Sequence, residues 1–131
     1  MKRKILIVED NVGLSQIQKD WLSQAGYEAV TAMNEPIARS LIRKTQFDLI
    51  LSDVRLPEGD GISLLEWLRK EKKDIPFIIT TEYVSVPDVV RTIKLGARDY
   101  LPKPVHREHL LELAEDIFHP VATVRKQERQ L

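Results

Sequence analysis

Five short apolar runs, each followed by a segment of helical period, constrain this chain more than any other feature. "KILIV" (4–8) and "FDLILS" (47–52) are near-continuous apolar runs, as strands buried on both faces are. "YEAVTA" (27–32), "PFIITT" (76–81) and "RDYL" (98–101) complete the set. Between them apolar residues recur at helical spacing. Leu14, Ile17, Trp21 and Ala25 share one face of a helix over 11–25, stopped by Gly26. Asn34 caps a helix over 35–45 whose apolar side carries Ile37, Ala38, Leu41, Ile42 and Thr45. Ile62, Leu65 and Leu68 mark a third helix over 61–72. Ser85 and Asp88 form a capping box for a fourth, which ends at Gly96. A fifth runs from 106 to 118, before Pro120. Strict alternation of this kind predicts right-handed βαβ units, hence an α/β fold with a parallel sheet covered on both faces.

Composition narrows the function classes. At 131 residues, 43% of them apolar, one domain with a sizeable core is expected. Twenty basic and twenty acidic residues cancel, which argues against nucleic-acid binding by this segment. Cysteine is absent, so disulfides and thiolate metal sites are excluded. No apolar run is long enough to span a bilayer, and "MKRKILIVED" breaks off in two acids, unlike a signal peptide. A soluble cytoplasmic protein is the expectation. Residues 119–131, "HPVATVRKQERQL", read as a tail or the start of a linker beyond a domain at 1–118.

An open parallel sheet binds ligands outside the carboxyl ends of its strands. There the first strand ends in Glu9-Asp10, the third in Asp53, the fourth in Thr80-Thr81, and Lys103 follows the fifth in "LPKP". Gathered carboxylates resist ionisation unless a cation is present. Hard oxygen donors suit Mg²⁺, which commonly bridges carboxylates to phosphate. A lysine can pair with Asp53 at rest and with a phosphoryl oxygen later, and a threonine can donate to that oxygen. Each residue has a plainer reading on its own. Asp10 or Asn11 could cap a helix, Asp53 could sit in a turn, the threonines could be ordinary strand residues, and Lys103 could be a loop charge. Their joint position at one sheet edge points to a phosphoryl site. His106, His109 and His119 make no metal-binding spacing.

Four segments in order, "ILIVEDN", "DLILSDVRLPEGDG", "IPFIITTEY" and "GARDYLPKP", resemble the receiver domain of bacterial two-component response regulators over residues 4 to about 118. The resemblance implies a doubly wound five-stranded parallel sheet, flavodoxin-like, in the order 2-1-3-4-5. It implies Asp53 as phosphoacceptor, and Asp10 and Glu9 as Mg²⁺ ligands with Asp53 and the backbone carbonyl of Arg55. It implies Thr81 as the switch hydroxyl, Tyr100 as the switch aromatic, and Lys103 as the phosphate-binding lysine before a cis proline bond. A sensor histidine kinase would supply the phosphoryl group, and the only chemistry catalysed would be the domain's own phosphorylation and dephosphorylation. The surface of the fourth helix, fifth strand and fifth helix would then change and control an output, most often transcription through a DNA-binding domain outside this segment. A homodimer through that surface would present one member each of Val86/Val89 and Leu110/Leu111 outward.

Three residues modulate that expectation. Glu82 follows the switch threonine where the family usually has a small residue, so it could narrow access to the phosphoryl site. Arg55 and Tyr83 stand two residues past Asp53 and Thr81, where a cation and a bulky ring could shield the phosphoryl group and prolong its life. Other readings of the architecture lack their motifs. A dinucleotide binder needs a glycine-rich loop after the first strand, where "EDNVGLSQ" offers acids. A haloacid-dehalogenase-like phosphatase needs a D-x-D pattern there, which "VEDNV" does not supply. A receiver that binds partners without being phosphorylated is the remaining alternative.

Overall fold

Each apolar run becomes a strand and each helical period a helix. The computed structural model describes residues 2–119. The elements are β1 (Lys4–Val8), α1 (Val12–Gln24), β2 (Glu28–Ala32), α2 (Glu35–Lys44), β3 (Leu49–Asp53), α3 (Gly61–Lys70), β4 (Phe77–Thr81), α4 (Val86–Lys94), β5 (Asp99–Pro102) and α5 (Arg107–Phe118). All pairings are parallel, in the order β2-β1-β3-β4-β5. This is the expected doubly wound sheet. Apart from His119, the expected tail lies outside the described residues.

The three central strands explain their own composition. Successive residues point to opposite faces, and both faces are covered. Leu6, Val8, Ile50 and Ile79 pack with Ala38 and Ile42 of α2 and Leu64, Leu65 and Leu68 of α3. Ile5, Ile7, Leu49 and Ile78 pack on the other side with Leu22 of α1 and Leu110 and Ala114 of α5. Side-chain caps start four helices: Asn11, Asn34, Asp60 and Ser85 accept from the N–H of Leu14, Ile37, Ser63 and Asp88.

Two helix faces differ from expectation. On α1 the buried line is Ser15, Gln18 and Leu22, while Ile17 is 47% exposed and Ala25 is exposed. Leu22 is drawn against Ile5 and Ile7, and this rotates Ile17 outward. On α2, Ile37 is exposed while Ala38 and Ile42 are buried. Of the outward pairs, Val86 is exposed and Val89 half-buried, but Leu110 is buried and Leu111 packs against the core.

Candidate functional site

Strand register brings the acids together. Val8 pairs with Ser52, so Glu9, one residue on, comes level with Asp53. The Glu9 N–H donates to the Ala32 carbonyl at 2.9 Å, which fixes the end of β1. Asp53 ends β3 and is buried. Past β5, the Lys103 N–H donates to the Thr81 carbonyl at 2.7 Å. The Lys103 side chain then reaches across the sheet edge, where its Nζ donates to Glu9 Oε1 at 2.6 Å and Asp53 Oδ2 at 2.7 Å. The Lys103–Pro104 bond is cis. Beneath the cluster the Gly61 N–H donates to the Val54 carbonyl at 2.8 Å. A Cβ at Gly61 would lie 2.2 Å from the Asp53 carbonyl oxygen, so this closure needs glycine.

Glu9, Asp10 and Asp53 offer carboxylate oxygens within 4.8 Å of one another. Burial pushes the Glu9 carboxyl above the usual carboxylate range, against hydrogen bonds from Lys103 and the Asn11 N–H. Burial alone would lower the Lys103 ammonium, but its bonds to Asp53 and Glu9 outweigh that and hold it above its ordinary value. Three carboxylates against one ammonium leave an excess of acid whose donors are all oxygen. That donor set fits a hard divalent cation such as Mg²⁺.

A cleft of about 360 Å³ opens onto these groups, lined by Asp10, Asp53, Arg55, Leu56, Pro57 and Glu82. The Arg55 N–H donates to Asp53 Oδ1 at 3.4 Å, and its guanidinium lies 4.7 Å over the centre of the Tyr83 ring. The Thr81 hydroxyl donates to the Tyr83 carbonyl at 2.9 Å and accepts from the Tyr83 N–H at 3.1 Å. Tyr100 packs against the core, its hydroxyl buried without a hydrogen-bond partner among the described residues. So the structure gathers Glu9, Asp10, Asp53 and Lys103, sets Arg55 and Glu82 on the cleft wall, and ties Thr81 to Tyr83. A cleft of about 490 Å³ at the opposite edge of the sheet, between the α2–β3 and α3–β4 connections, has no comparable convergence of acids among the described residues.

Sequence reasoning passed over two residues near the site. Ser52 is fully buried and donates to the Asp53 carbonyl at 2.9 Å. Glu35 is buried and accepts from the Asp60 N–H. A serine in an apolar strand is a weak signal, and a glutamate in the first turn of a helix is an ordinary one.

Fold and site together define a flavodoxin-like α/β domain with an acid–lysine cluster at the carboxyl edge of its sheet. The chain belongs to the response regulator receiver domain family, whose model matches residues 5–115. It is 33% identical over 112 residues to the response regulator protein PilR of Pseudomonas aeruginosa, covering 86% of this chain and 25% of PilR. It is 38% identical over 116 residues to the transcriptional regulatory protein ZraR of Klebsiella oxytoca, covering 88% of this chain and 26% of ZraR. The chain therefore spans about a quarter of the length of these curated relatives. Among solved structures it is similar to a CheY-like receiver domain protein from Methanospirillum hungatei, with a TM-score of 0.85, 30% identity and full coverage of both chains. It is also similar to the non-phosphorylated HemR receiver domain of Leptospira biflexa, with a TM-score of 0.84 and 36% identity over 90% of this chain and 95% of that one.

Proposed function

We propose that this receiver domain is a phosphoacceptor switch, taking a phosphoryl group on Asp53 from the phosphohistidine of a sensor kinase. The observation that carries the reading is the Lys103 ammonium bound to both Glu9 and Asp53 beside a third acid. Asp10, Glu9 and Asp53, with the Arg55 carbonyl, would hold Mg²⁺, which supplies positive charge for the transferring phosphoryl oxygens when bound.

The chain's own groups do the rest. An Asp53 oxygen attacks phosphorus; the O–P bond forms as the P–N bond breaks, and its electron pair returns to the imidazole. Lys103 exchanges its contact with the Asp53 carboxylate for one with a phosphoryl oxygen. The product carries roughly two negative charges where the free carboxylate carried one. The Thr81 hydroxyl leaves its bonds to Tyr83 and donates to the phosphoryl group, and Tyr100 fills the space it vacates. Residues 1–118 form the receiver, 119–131 begin a linker, and the output is transcription, in keeping with the names of the regulators it matches. The α4–β5–α5 surface carries the signal and pairs two copies.

A second reading has one observation in its favour: Glu82 sets a carboxylate on the cleft wall, which would repel a phosphoryl group. In that case the domain binds partners unmodified. Incubation with Mg²⁺ and acetyl phosphate, followed by intact mass spectrometry, decides between them. One added phosphoryl group, absent in Asp53→Asn, is the expected result; an unmodified wild-type chain selects the second reading.

A further inference from the structure

Glu35 is a buried carboxylate, 5% exposed, for which the phosphoryl chemistry has no use. It opens α2, and its own N–H donates to the Glu58 carbonyl at 3.1 Å. Its Oε1 accepts the Asp60 N–H at 3.0 Å. Its other oxygen pairs with Arg39, one helical turn on, so the buried charge is compensated. Arg39 in turn lies over the Trp67 ring of α3, 5.0 Å from its centre. Two bonds from one residue of α2 thus hold the far end of the loop that leaves Asp53.

That loop is short and doubly closed. The Gly61 N–H donates to the Val54 carbonyl, and Arg55 faces Asp60 in an antiparallel bridge. Fixing the Asp60 backbone therefore fixes the Arg55 backbone across the bridge. Gly59 has φ +80°, and a Cβ there would lie 2.2 Å from Glu35 Oε1. The loop passes the carboxylate at a distance only glycine allows, in a conformation glycine favours.

We infer that Glu35 is a positioning residue for the cation site, holding the Arg55 carbonyl toward the Glu9, Asp10 and Asp53 cluster from outside it. The inference rests on the reading that this carbonyl is a Mg²⁺ ligand. Outer partners that orient ligands tune metal affinity. Glu35→Ala removes the side chain's bond to the Asp60 N–H and leaves the backbone bond to the Glu58 carbonyl. Glu35→Gln keeps an oxygen for the Asp60 N–H but drops the charge opposite Arg39. Gly59→Ala leaves the carboxylate in place and pushes the loop off it.

The test is Mg²⁺ affinity by calorimetry, with amide hydrogen exchange at Arg55 and Asp60 in chelator-treated protein as a readout free of metal. Glu35→Ala and Gly59→Ala should each weaken Mg²⁺ binding about tenfold, with Glu35→Gln between them and wild type. Exchange at both amides should speed up in the same order. Phosphorylation by acetyl phosphate at saturating Mg²⁺ should stay within about twofold of wild type, a split that general loss of structure would not give. Unchanged Mg²⁺ affinity in folded Glu35→Ala or Gly59→Ala overturns the inference; if Glu35→Ala does not fold, Gly59→Ala and Glu35→Gln decide. A wild-type chain that binds Mg²⁺ but accepts no phosphoryl group sinks the switch and leaves the Glu35 result standing. A wild-type chain that binds no Mg²⁺ ends both.

Discussion

Arg55 over Tyr83 is the closest pairing of a cation with an aromatic face in the described residues, and Arg55 lines the cleft that opens onto Asp53. Hydrolysis of a phosphoaspartate needs a water in line with phosphorus, so on the proposed reading a stacked pair at the mouth would slow it by excluding that water. Tyr83→Ala should raise the rate of phosphoryl loss roughly tenfold, and Arg55→Ala should move it the same way. The double variant should exceed neither single by much, because each residue acts through the other. The measurement is the decay of labelled protein after the donor is removed, and identical half-lives in all four proteins would refute the shielding. At this scale the site was legible where a charged side chain interrupts an apolar run. Glu9 and Asp53 are buried at the ends of apolar strands, with exposed Asp10 beside them, and burying such groups costs free energy without a purpose. The engaged state of the Thr81 hydroxyl was not legible, because the turn geometry at Tyr83 decides it.

Arg69 of α3 fastens two connections at once. Its Nε donates to the Leu95 carbonyl at 2.7 Å, one terminal nitrogen to those of Lys73 and Ile75 at 2.9 and 3.1 Å, and the other to that of Gly96 at 3.2 Å. Burial lowers its guanidinium from its ordinary value, yet all three of its nitrogens donate to carbonyls. Arg69→Met keeps much of the stem's packing and leaves those carbonyls short of donors. It should cost about 2–3 kcal/mol in urea unfolding, with Arg69→Lys recovering only part, since an ammonium lacks the planar fork. Element order followed from alternation alone, and ends set by caps or glycine fell within a residue or two. Helix orientation was less legible. With Leu14, Ile17, Trp21 and Leu22 in α1, the spacing admits two stripes, and contact with β1 selects the one through Leu22. The arginine clamp had no sequence signature, because its partners are backbone carbonyls in other connections.

For the molecule as a whole, the consequential surface is α4. Val86, Val90 and Ile93 lie at helical spacing and are 73%, 46% and 64% exposed, while Thr92 is the helix's buried residue. Such a stripe faces water at a cost that association would relieve. A stable interface buries about 800 Å² on each partner, more than one face of a nine-residue helix supplies, so β5 and α5 have to join it. Their charges suit that arrangement: Lys94 at the end of α4 and Arg98 before β5 are exposed, and Glu108, Glu112 and Glu115 are exposed on α5. In a two-fold dimer the basic patch of one copy would meet the acidic patch of the other, since a two-fold interface is self-complementary. On the proposed phosphoacceptor reading, modification at Asp53 would act on this surface by shifting the balance between two packings of α4. Sedimentation velocity should therefore show the 15.1 kDa chain moving toward twice that mass when Mg²⁺ and beryllium fluoride are added. The shift should weaken with added salt, as exposed charge pairs do. Val90→Asp should suppress it while leaving the addition of one phosphoryl group to Asp53 intact, because the residue is remote from the acid–lysine cluster in the chain and lies outside the cleft that serves it. A monomer in every condition would remove the dimer and leave α4 as a face for a different protein, with the switch chemistry untouched.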